Sequence, residues 1–431
     1  MYFDPVETVS REELDALQLK RLRAVVTRAA RSPFYREKFK AAKVNANTLK
    51  TLDDVRRLPL TVKQDLRDTY PYGLCVEPVE KLIRVHASSG TTGSPTAVLY
   101  TRKDIETWAG LMARCLYMVG VRPGDILQNM SGYGLFTGGL GIHYGSERLG
   151  CLTIPAGAGN SARQVKLIRD FGVTVVHIIP SYALHFAEHL KKEGIDPASL
   201  PIRIALVGAE PHTDETRRRI ENIFGLKAYN SYGLTEMNGP GVAFECVEQN
   251  GMHLWEDAYF LEVLNPETLE PAKPGETGEI VMTTLSRQGM PLIRYRTRDL
   301  SRLVPGPCPC GRTHARIDRI AGRSDDMLII KGVNIYPMQI EQVLMSMPEV
   351  GRNYLIILER EGPMDQLKVQ VEIDEAHFVE DMRALTGLQK RITAKLRDEL
   401  LVTPRVELVQ SGTLPKSEGK AKRVVDNRGK P

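Results

Sequence analysis

Residues 82–96 read Leu82-Ile83-Arg84-Val85-His86-Ala87-Ser88-Ser89-Gly90-Thr91-Thr92-Gly93-Ser94-Pro95-Thr96, an apolar run followed directly by a loop rich in glycine and hydroxyl side chains. Glycine lets backbone amides approach an anion closely, and the hydroxyls add hydrogen-bond donors. This composition suits nucleotide phosphates, although an ordinary surface turn has the same ingredients. The loop is not a Walker loop, because Gly93 is followed by Ser94 where that motif requires lysine. A nucleotide bound here would need a cation from elsewhere in the chain.

The residues between Leu82 and Tyr232 alternate between short apolar runs and amphipathic stretches. Strand-like runs lie at residues 126–130, 151–154, 173–179 and 202–207, and helical patterns lie at residues 103–119, 162–171 and 213–224. Nearly continuous apolar strands that alternate with helices predict a parallel sheet covered on both faces. Ligands bind such sheets beyond the carboxyl ends of the strands, where the Ser88 loop and the segment Gly208-Ala209-Glu210 fall.

The pattern changes twice after Trp255. Short strands separated by Pro/Gly turns predict an antiparallel β subdomain, and helix and strand patterns beyond Arg323 predict a small α+β domain. We therefore expect an α/β protein with a large N-terminal domain over residues 1–324 and a small C-terminal domain over residues 325–431. A capping box at Ser10-Arg11-Glu12-Glu13 predicts the start of an N-terminal helix.

Composition excludes several classes of protein. The chain has 431 residues, a net charge of +5 and 42% hydrophobic residues, which is typical of an ordinary globular protein of more than one domain. The basic residues are scattered, which argues against a nucleic-acid partner. The start of the chain has no signal-peptide pattern and no stretch is apolar enough to span a membrane, so we expect a cytoplasmic protein without a membrane partner.

Further motifs follow the predicted sheet. The segment Tyr232-Gly233-Leu234-Thr235-Glu236 places a carboxylate beside a hydroxyl at a strand end, a combination that suits Mg²⁺ and phosphate. Four charged segments come later in the chain, at residues 295–299, 322–326, 331–337 and 415–420. Taken singly, each is as consistent with a turn or a solvated face.

Together and in this order, the motifs resemble the phenylacetate-CoA ligase type of the adenylate-forming superfamily of acyl-CoA synthetases. The resemblance runs nearly end to end and includes residues 32–36 and 133–141. It implies a mobile C-terminal domain and a two-step reaction. A carboxylate first attacks the ATP α-phosphate to give an acyl-adenylate and pyrophosphate, and the CoA thiol then displaces AMP. The chain departs from many relatives in having no lysine at Ser94 or Thr96.

The resemblance also implies roles for individual residues of the nucleotide site. The phosphates would contact Ser88, Ser89, Gly90, Thr91, Thr92 and Gly93. The adenine would lie between Gly208, Ala209 and Glu210 on one side and Asn230, Ser231, Tyr232 and Gly233 on the other. The remaining assignments are Thr235 to the α-phosphate, Glu236 to Mg²⁺, Asp299 to the ribose hydroxyls and Arg323 beside the ribose.

The same resemblance assigns the moving parts. Lys420 would supply the missing cation between the carboxylate and the α-phosphate, with Lys422 as the alternative. Asp325 matches the hinge position, and CoA would contact Lys331, Gly332 and Val333. A solvated basic tail and a rigid turn are the alternatives for these segments.

An aromatic slot for the acid is a further prediction from the residues. Tyr133 and Phe136 can stack on a ring, and Gly138 and Gly139 leave it room. Because no charged residue in this stretch selects a second polar group, we expect an aryl or arylacetic acid. Packing alone is the alternative explanation for these residues.

A second metal site is predicted from cysteine spacing. Cys308-Pro309-Cys310 lies in one turn, and Cys246 and His253 flank another. Three sulfurs and one imidazole suit a closed, structural zinc site. His314 is an alternative ligand to His253, and free thiols are the alternative to a metal site.

The leading functional prediction is an ATP-dependent aryl-acid CoA ligase. One rival is an adenylating enzyme that loads the phosphopantetheine thiol of a carrier protein, and another is a non-catalytic nucleotide-binding protein. The presence of Glu236, Asp299 and Lys420 together argues against the second rival. The resemblance favours a homodimer.

Overall fold

The computed structural model describes residues 2–88, 95–273, 275–330, 333–361, 364–374, 381–415 and 423–428. Its contacts group the chain into two compact units. The first unit contains Met1–Ile178, Pro201–Ala209 and Tyr229–Arg319, and the second contains Ile179–Leu200, Glu210–Ala228 and Ile320–Pro431. The predicted domain boundary between residues 324 and 325 stays a prediction. No helix in the described part of the chain is long and apolar enough to cross a membrane.

The α-helices are α1 (Arg11–Ala29), α2 (Pro33–Ala41), α3 (Lys63–Asp68), α4 (Arg102–Met118), α5 (Thr137–Leu149), α6 (Ser161–Phe171), α7 (Pro180–Lys192), α8 (Asp214–Phe224), α9 (Pro337–Met345) and α10 (Met382–Leu400). The predicted capping box starts α1, where the Ser10 hydroxyl accepts the Glu13 N–H and the Glu13 carboxylate accepts the Ser10 N–H.

The strands are β1 (Leu82–Ala87), β2 (Ala97–Thr101), β3 (Ile126–Asn129), β4 (Leu152–Ile154), β5 (Val175–Ile178), β6 (Ile204–Gly208), β7 (Lys227–Leu234), β8 (Gly239–Glu245), β9 (Met252–Leu254), β10 (Tyr259–Leu264), β11 (Gly278–Thr284), β12 (Tyr295–Ser301), β13 (Leu303–Val304), β14 (Arg316–Ile317), β15 (Gly322–Arg323), β16 (Leu328–Ile330), β17 (Val333–Ile335), β18 (Val350–Glu361), β19 (Met364–Ile373), β20 (Arg405–Val409) and β21 (Val424–Asp426).

The main sheet of the first unit has the strand order β13-β14-β9-β8-β7-β6-β5-β3-β4. Strands β4, β3, β5 and β6 pair in parallel, as the alternation of strands and helices predicts. Strands β7, β8, β9, β14 and β13 continue the sheet in antiparallel pairs. The α/β class is confirmed, and the sheet is mixed rather than wholly parallel. Strands β10, β11 and β12 form the predicted antiparallel subdomain.

Helix α5 is not among the helical patterns named from the sequence. It begins Thr137-Gly138-Gly139-Leu140-Gly141, and glycine disfavours helices. Close packing against α4 explains it. A Cβ atom added at Gly141 would lie 2.4 Å from Cζ2 of Trp108, and one added at Gly145 would lie 2.3 Å from Cβ of Met112. The glycines let the two helices approach each other more closely than any side chain would allow.

The second unit contains a separate hydrophobic core. Strands β20-β19-β18-β21 form a sheet, and apolar side chains from β16, β17, α9 and α10 pack against it. Helices α7 and α8 belong to this unit. On α8, the Arg219 guanidinium donates to the Val350 carbonyl and to the Asp374 carboxylate, each at 3.1 Å.

Candidate functional site

The carboxyl ends of β6 and β7 lie side by side in the first unit. A Cβ atom added at Gly208 would lie 2.5 Å from the Ser231 carbonyl oxygen, so only glycine fits this approach. Ala209 follows with φ of 68°, in the left-handed region that non-glycine residues rarely adopt. The structure thus brings together two segments that were predicted to surround adenine.

Two further predicted residues meet through their side chains. The Tyr232 hydroxyl donates to the Asp299 carboxylate at 2.7 Å, and both residues are buried. Behind them, the Glu245 carboxylate accepts the Asn230 N–H at 2.7 Å and pairs with the Arg319 guanidinium at 3.0 Å. These contacts fix the end of β7 and orient a carboxylate beside an aromatic ring.

Glu236 lies in a short 3-10 turn that directly follows β7, and its side chain is buried. The Tyr295 hydroxyl lies 3.2 Å from Oε1 of Glu236, and the Thr96 hydroxyl lies 3.5 Å from the same atom. Oγ of Ser88 is 2.7 Å from Oγ1 of Thr96. The beginning and end of the glycine-rich loop therefore lie against the predicted magnesium ligand. Residues 89–94 lie outside the described residues.

Lys63 is a residue that the sequence analysis missed. Its ammonium group lies 3.9 Å from Oε1 of Glu236. Thr61 pairs with Tyr295 in parallel, with the Thr61 N–H bonded to the Arg294 carbonyl, and this pairing delivers the start of α3 to the site. Nothing around Lys63 in the sequence marks it. The only available signal was indirect, namely that the loop lacks its own lysine.

Other predicted residues are placed without being joined to this site. In the second unit, the Glu210 carboxylate accepts the Ser181 N–H at 2.5 Å, and the Arg323 guanidinium bonds to the Asp325 carboxylate at 2.9 and 3.0 Å. Val333 begins β17. Lys331, Gly332, Lys420 and Lys422 lie outside the described residues. The roles predicted for all of these stay predictions.

The predicted acid slot lies at the start of α5 in the first unit. Tyr133 is half-buried and Phe136 is 52% exposed. A Cβ atom added at Gly139 would lie 2.6 Å from the Gly132 carbonyl oxygen and 3.3 Å from Cγ of Tyr133, whereas one added at Gly138 has no described heavy atom within 4 Å. Gly139 is therefore required for packing, and Gly138 borders open space.

The loop before α5 is tied to the strand that leads into the glycine-rich loop. The Leu135 carbonyl accepts the Ala87 N–H at 3.0 Å and lies 3.0 Å from Nδ1 of His86. Two loops with different predicted ligands, an acid and phosphates, are thereby held beside each other.

The predicted metal ligands converge. The ligand atoms of Cys246, His253, Cys308 and Cys310 all lie within 4.8 Å of one another. The Sγ atoms of Cys246 and Cys308 are 3.6 Å apart, and Sγ of Cys310 is 3.3 Å from Nε2 of His253. Nδ1 of His253 lies 3.1 Å from the His314 carbonyl, so Nδ1 donates to that carbonyl and Nε2 faces the sulfurs.

His314 is not part of this cluster, which corrects its prediction as an alternative ligand. Its Nδ1 accepts the Glu256 N–H at 3.0 Å and its Nε2 donates to the Val6 carbonyl at 2.9 Å. Within the cluster, the hydrogen bond from Cys246 and the nearby His253 hold the pKa of the Cys310 thiol well below its ordinary value.

Comparisons with known proteins agree with this geometry. A family model described as "AMP-binding enzyme" matches residues 11–286, and one described as "AMP-binding enzyme C-terminal domain" matches residues 332–428. A solved 2-hydroxyisobutyryl-CoA ligase, in the postadenylation state in complex with 2-HIB-AMP, aligns with a TM-score of 0.93 at 32% identity, covering 98% of this chain and 91% of that chain. The fold and the site thus define an adenylate-forming enzyme.

Two curated relatives are similar over nearly their whole length. The phenylacetate-coenzyme A ligase of Thermus thermophilus is 46% identical, covering 99% of this chain and 100% of the relative. That of Escherichia coli is 44% identical, covering 99% and 97%. The chain belongs to the phenylacetate-coenzyme A ligase family.

Proposed function

We propose that this chain is an AMP-forming acid–thiol ligase that joins an aryl acid of the phenylacetate type to CoA through an acyl-adenylate. The observation that carries the proposal is the convergence of Glu236, the Tyr232–Asp299 pair and the Ser88–Thr96 contact at one edge of the main sheet. Relatives that are 44–46% identical over 99% of the chain are named phenylacetate-coenzyme A ligases.

In the first half-reaction, the substrate carboxylate attacks the α-phosphorus of ATP and pyrophosphate leaves. Tyr232 would stack on adenine, Asp299 would accept hydrogen bonds from the ribose hydroxyls, and Thr235 would contact the α-phosphate. Lys63 would bring a positive charge to the phosphates beside the lysine-free loop. A buried carboxylate next to two hydroxyls suits Mg²⁺, which Glu236 would hold and which would neutralise phosphate charge.

In the second half-reaction, the CoA thiol attacks the acyl carbon and AMP leaves. Lys420 would serve the first half-reaction only, so we propose that its domain rotates about Asp325 and brings Lys331, Gly332 and Val333 to CoA. Asp325→Pro should spare adenylate formation and slow thioester formation. Equal loss of both steps would rule out the hinge.

The aromatic slot supports an aryl acid as the substrate, whereas the name of one relative points to an aliphatic acid. The 2-hydroxyisobutyryl-CoA ligase has an aliphatic hydroxy acid in its name but shares only 32% identity, against 44–46% for the phenylacetate-coenzyme A ligases. Free CoA is the proposed thiol. Loading of a carrier-protein phosphopantetheine is the alternative, and product formation with CoA alone separates the two.

ATP–pyrophosphate exchange tests the proposal directly, because it detects the first step whatever the thiol. The panel should include phenylacetate, benzoate and 2-hydroxyisobutyrate. We expect exchange with phenylacetate, and exchange only with the aliphatic acid would overturn the aryl assignment. Lys420→Ala and Lys422→Ala provide a matched pair, in which we expect loss of exchange in the first variant alone. Light scattering of the same preparation tests the homodimer that the family resemblance favours.

We also propose that the four-residue cluster binds a structural Zn²⁺. A tetrahedral site with Zn–S bonds of about 2.3 Å separates its sulfurs by about 3.8 Å. The Cys246–Cys308 separation of 3.6 Å is close to this value. Three sulfurs and one imidazole fill all four positions, which suits a structural rather than a catalytic metal.

Metal analysis of the purified protein tests this site. We expect about one Zn²⁺ per chain in the wild type, less in Cys310→Ser, and an unchanged amount in Cys151→Ser, whose thiol lies outside the cluster. Equal zinc in all three proteins would contradict the assignment. So would its absence after purification without chelators.

A further inference from the structure

A chain of polar side chains lies beside the proposed acid slot, within the first unit. Asn129, the last residue of β3, is fully buried. Its Nδ2 donates to the Gly139 carbonyl at 2.7 Å and to the Tyr133 hydroxyl at 2.9 Å. A carbonyl oxygen can only accept, so the Gly139 contact fixes which end of the carboxamide is nitrogen.

The other end of the Asn129 side chain is also occupied. Oδ1 accepts from the Ser131 hydroxyl at 2.8 Å and lies 3.0 Å from Nδ1 of His177. His177 is buried, and burial lowers its pKa to about 4, so the ring is neutral near pH 7 and Nδ1 donates to Asn129. The carboxamide therefore cannot turn without breaking several hydrogen bonds.

The direction of these bonds determines what the Tyr133 hydroxyl does. Because it accepts from Asn129, its own proton is available to Nδ1 of His143, 3.3 Å away. Nε2 of His143 lies 3.1 Å from a Glu147 carboxylate oxygen. In the neutral ring Nε2 therefore carries the proton, and Nδ1 is left as the acceptor. The donors run in order from His177 through Asn129, Tyr133 and His143 to Glu147.

We propose that His143 and Asn129 are positioning residues that hold Tyr133 as a fixed aromatic wall with its O–H committed away from the substrate. The slot would then select acids whose ring carries no hydrogen-bond acceptor at the edge that faces Tyr133. The proposal rests on the proposed function, because it takes the acid to bind against this ring. A ring substituent that only accepts hydrogen bonds would find the Tyr133 proton already used, and a buried group without a partner weakens binding.

Two substitutions of His143 test whether this residue acts by accepting the Tyr133 proton or only by filling space. His143→Leu removes the acceptor for the Tyr133 proton, whereas His143→Asn keeps an acceptor at about the place of Nδ1. We expect His143→Leu to raise KM for phenylacetate about fivefold, the loss of about one side-chain hydrogen bond. KM for ATP should stay unchanged, and the preference for phenylacetate over 4-nitrophenylacetate, whose substituent only accepts hydrogen bonds, should fall. His143→Asn should restore most of both properties.

A double-mutant cycle guards against a trivial folding effect. In a Tyr133→Phe background the hydroxyl is already absent, so His143→Leu should add little to the KM for phenylacetate. Additive effects in the cycle would overturn the proposal. An unchanged KM for phenylacetate in His143→Leu would do the same, and so would an equal rise in both KM values. The wild-type measurement alone tests the proposed function. If the wild type activates no aryl acid, the proposed function is wrong, whatever the variants show.

Discussion

Replacing Lys63 by alanine tests whether a fixed cation compensates for the lysine-free phosphate loop. The Lys63 ammonium lies 3.9 Å from the Glu236 carboxylate. At that distance two unit charges interact by about 1 kcal/mol in water and about 4 kcal/mol at an effective dielectric constant of about 20. The Lys63 side chain is 44% exposed, so solvent screening favours the lower figure. If a phosphate oxygen of bound ATP lies at a similar distance from Lys63, loss of about 1 kcal/mol of attraction makes adenylate formation about fivefold slower.

ATP–pyrophosphate exchange at low and high salt measures this effect. The difference between wild type and Lys63→Ala should shrink as salt rises, because an exposed charge is screened within about 10 Å at 0.1 M ionic strength. Lys63→Arg should retain most of the rate, and Lys40→Ala, which removes an exposed lysine of α2, should leave it unchanged. If Lys63→Ala exchanged pyrophosphate at the wild-type rate at low salt, Lys63 would not be the cation that serves the phosphates. Lys63→Arg as slow as Lys63→Ala would show that charge is not the cause.

Two further predictions concern stability. Burial lowers the pKa of His177 to about 4, so the folded state excludes a proton that the unfolded chain binds near pH 6.5, and stability is lost as pH falls between these values. Thermal unfolding measured across this pH interval should show that His177→Gln loses about 3 kcal/mol less free energy of unfolding than the wild type. Parallel pH profiles of the two proteins would show that the pKa of His177 is not lowered by burial. In α5, Gly145→Ala should destabilise by about 1–2 kcal/mol, because overpacking against Met112 outweighs the gain of about 1 kcal/mol from alanine in a helix. Gly110→Ala in α4 is the control, because no described heavy atom lies within 4 Å of the added Cβ. Urea unfolding should show that it stabilises the protein by about 1 kcal/mol. A change in stability of the same sign in both variants would contradict the packing argument.

Local spacing in the sequence was enough to predict the Cys/His cluster and much of the sheet. Cys308 and Cys310 lie in one turn, and Cys246 and His253 flank another, so two short segments supply all four side chains of the cluster. Only the choice between His253 and His314 required the structure. It depended on the hydrogen bonds that the two rings make to distant backbone groups.

Helix α5 shows where the sequence was not enough. Glycines at 138, 139 and 141 argue against a helix, because glycine costs about 1 kcal/mol in a helix relative to alanine. The cost is offset by close contact with α4 at Gly141 and Gly145, and Gly139 lies against the Gly132 carbonyl. A propensity argument cannot include a neighbour that is more than 20 residues away in the chain. The acid slot therefore stays a prediction, whereas the helix that carries part of it was not predicted.

The glycine-rich loop has no lysine, and the position of Lys63 suggests why none is needed there. A lysine inside such a loop is positioned only as well as the loop itself, whereas Lys63 begins a helix whose start is held from two sides. The Val62 N–H bonds to the Asp65 carboxylate at 2.8 Å, and Thr61 pairs with β12. A charge fixed before the substrate arrives needs no reorganisation when negative charge develops, which makes it more effective in stabilising a transition state. We therefore propose that Lys63 offers a permanent cation to the phosphates and that Lys420 serves one half-reaction alone.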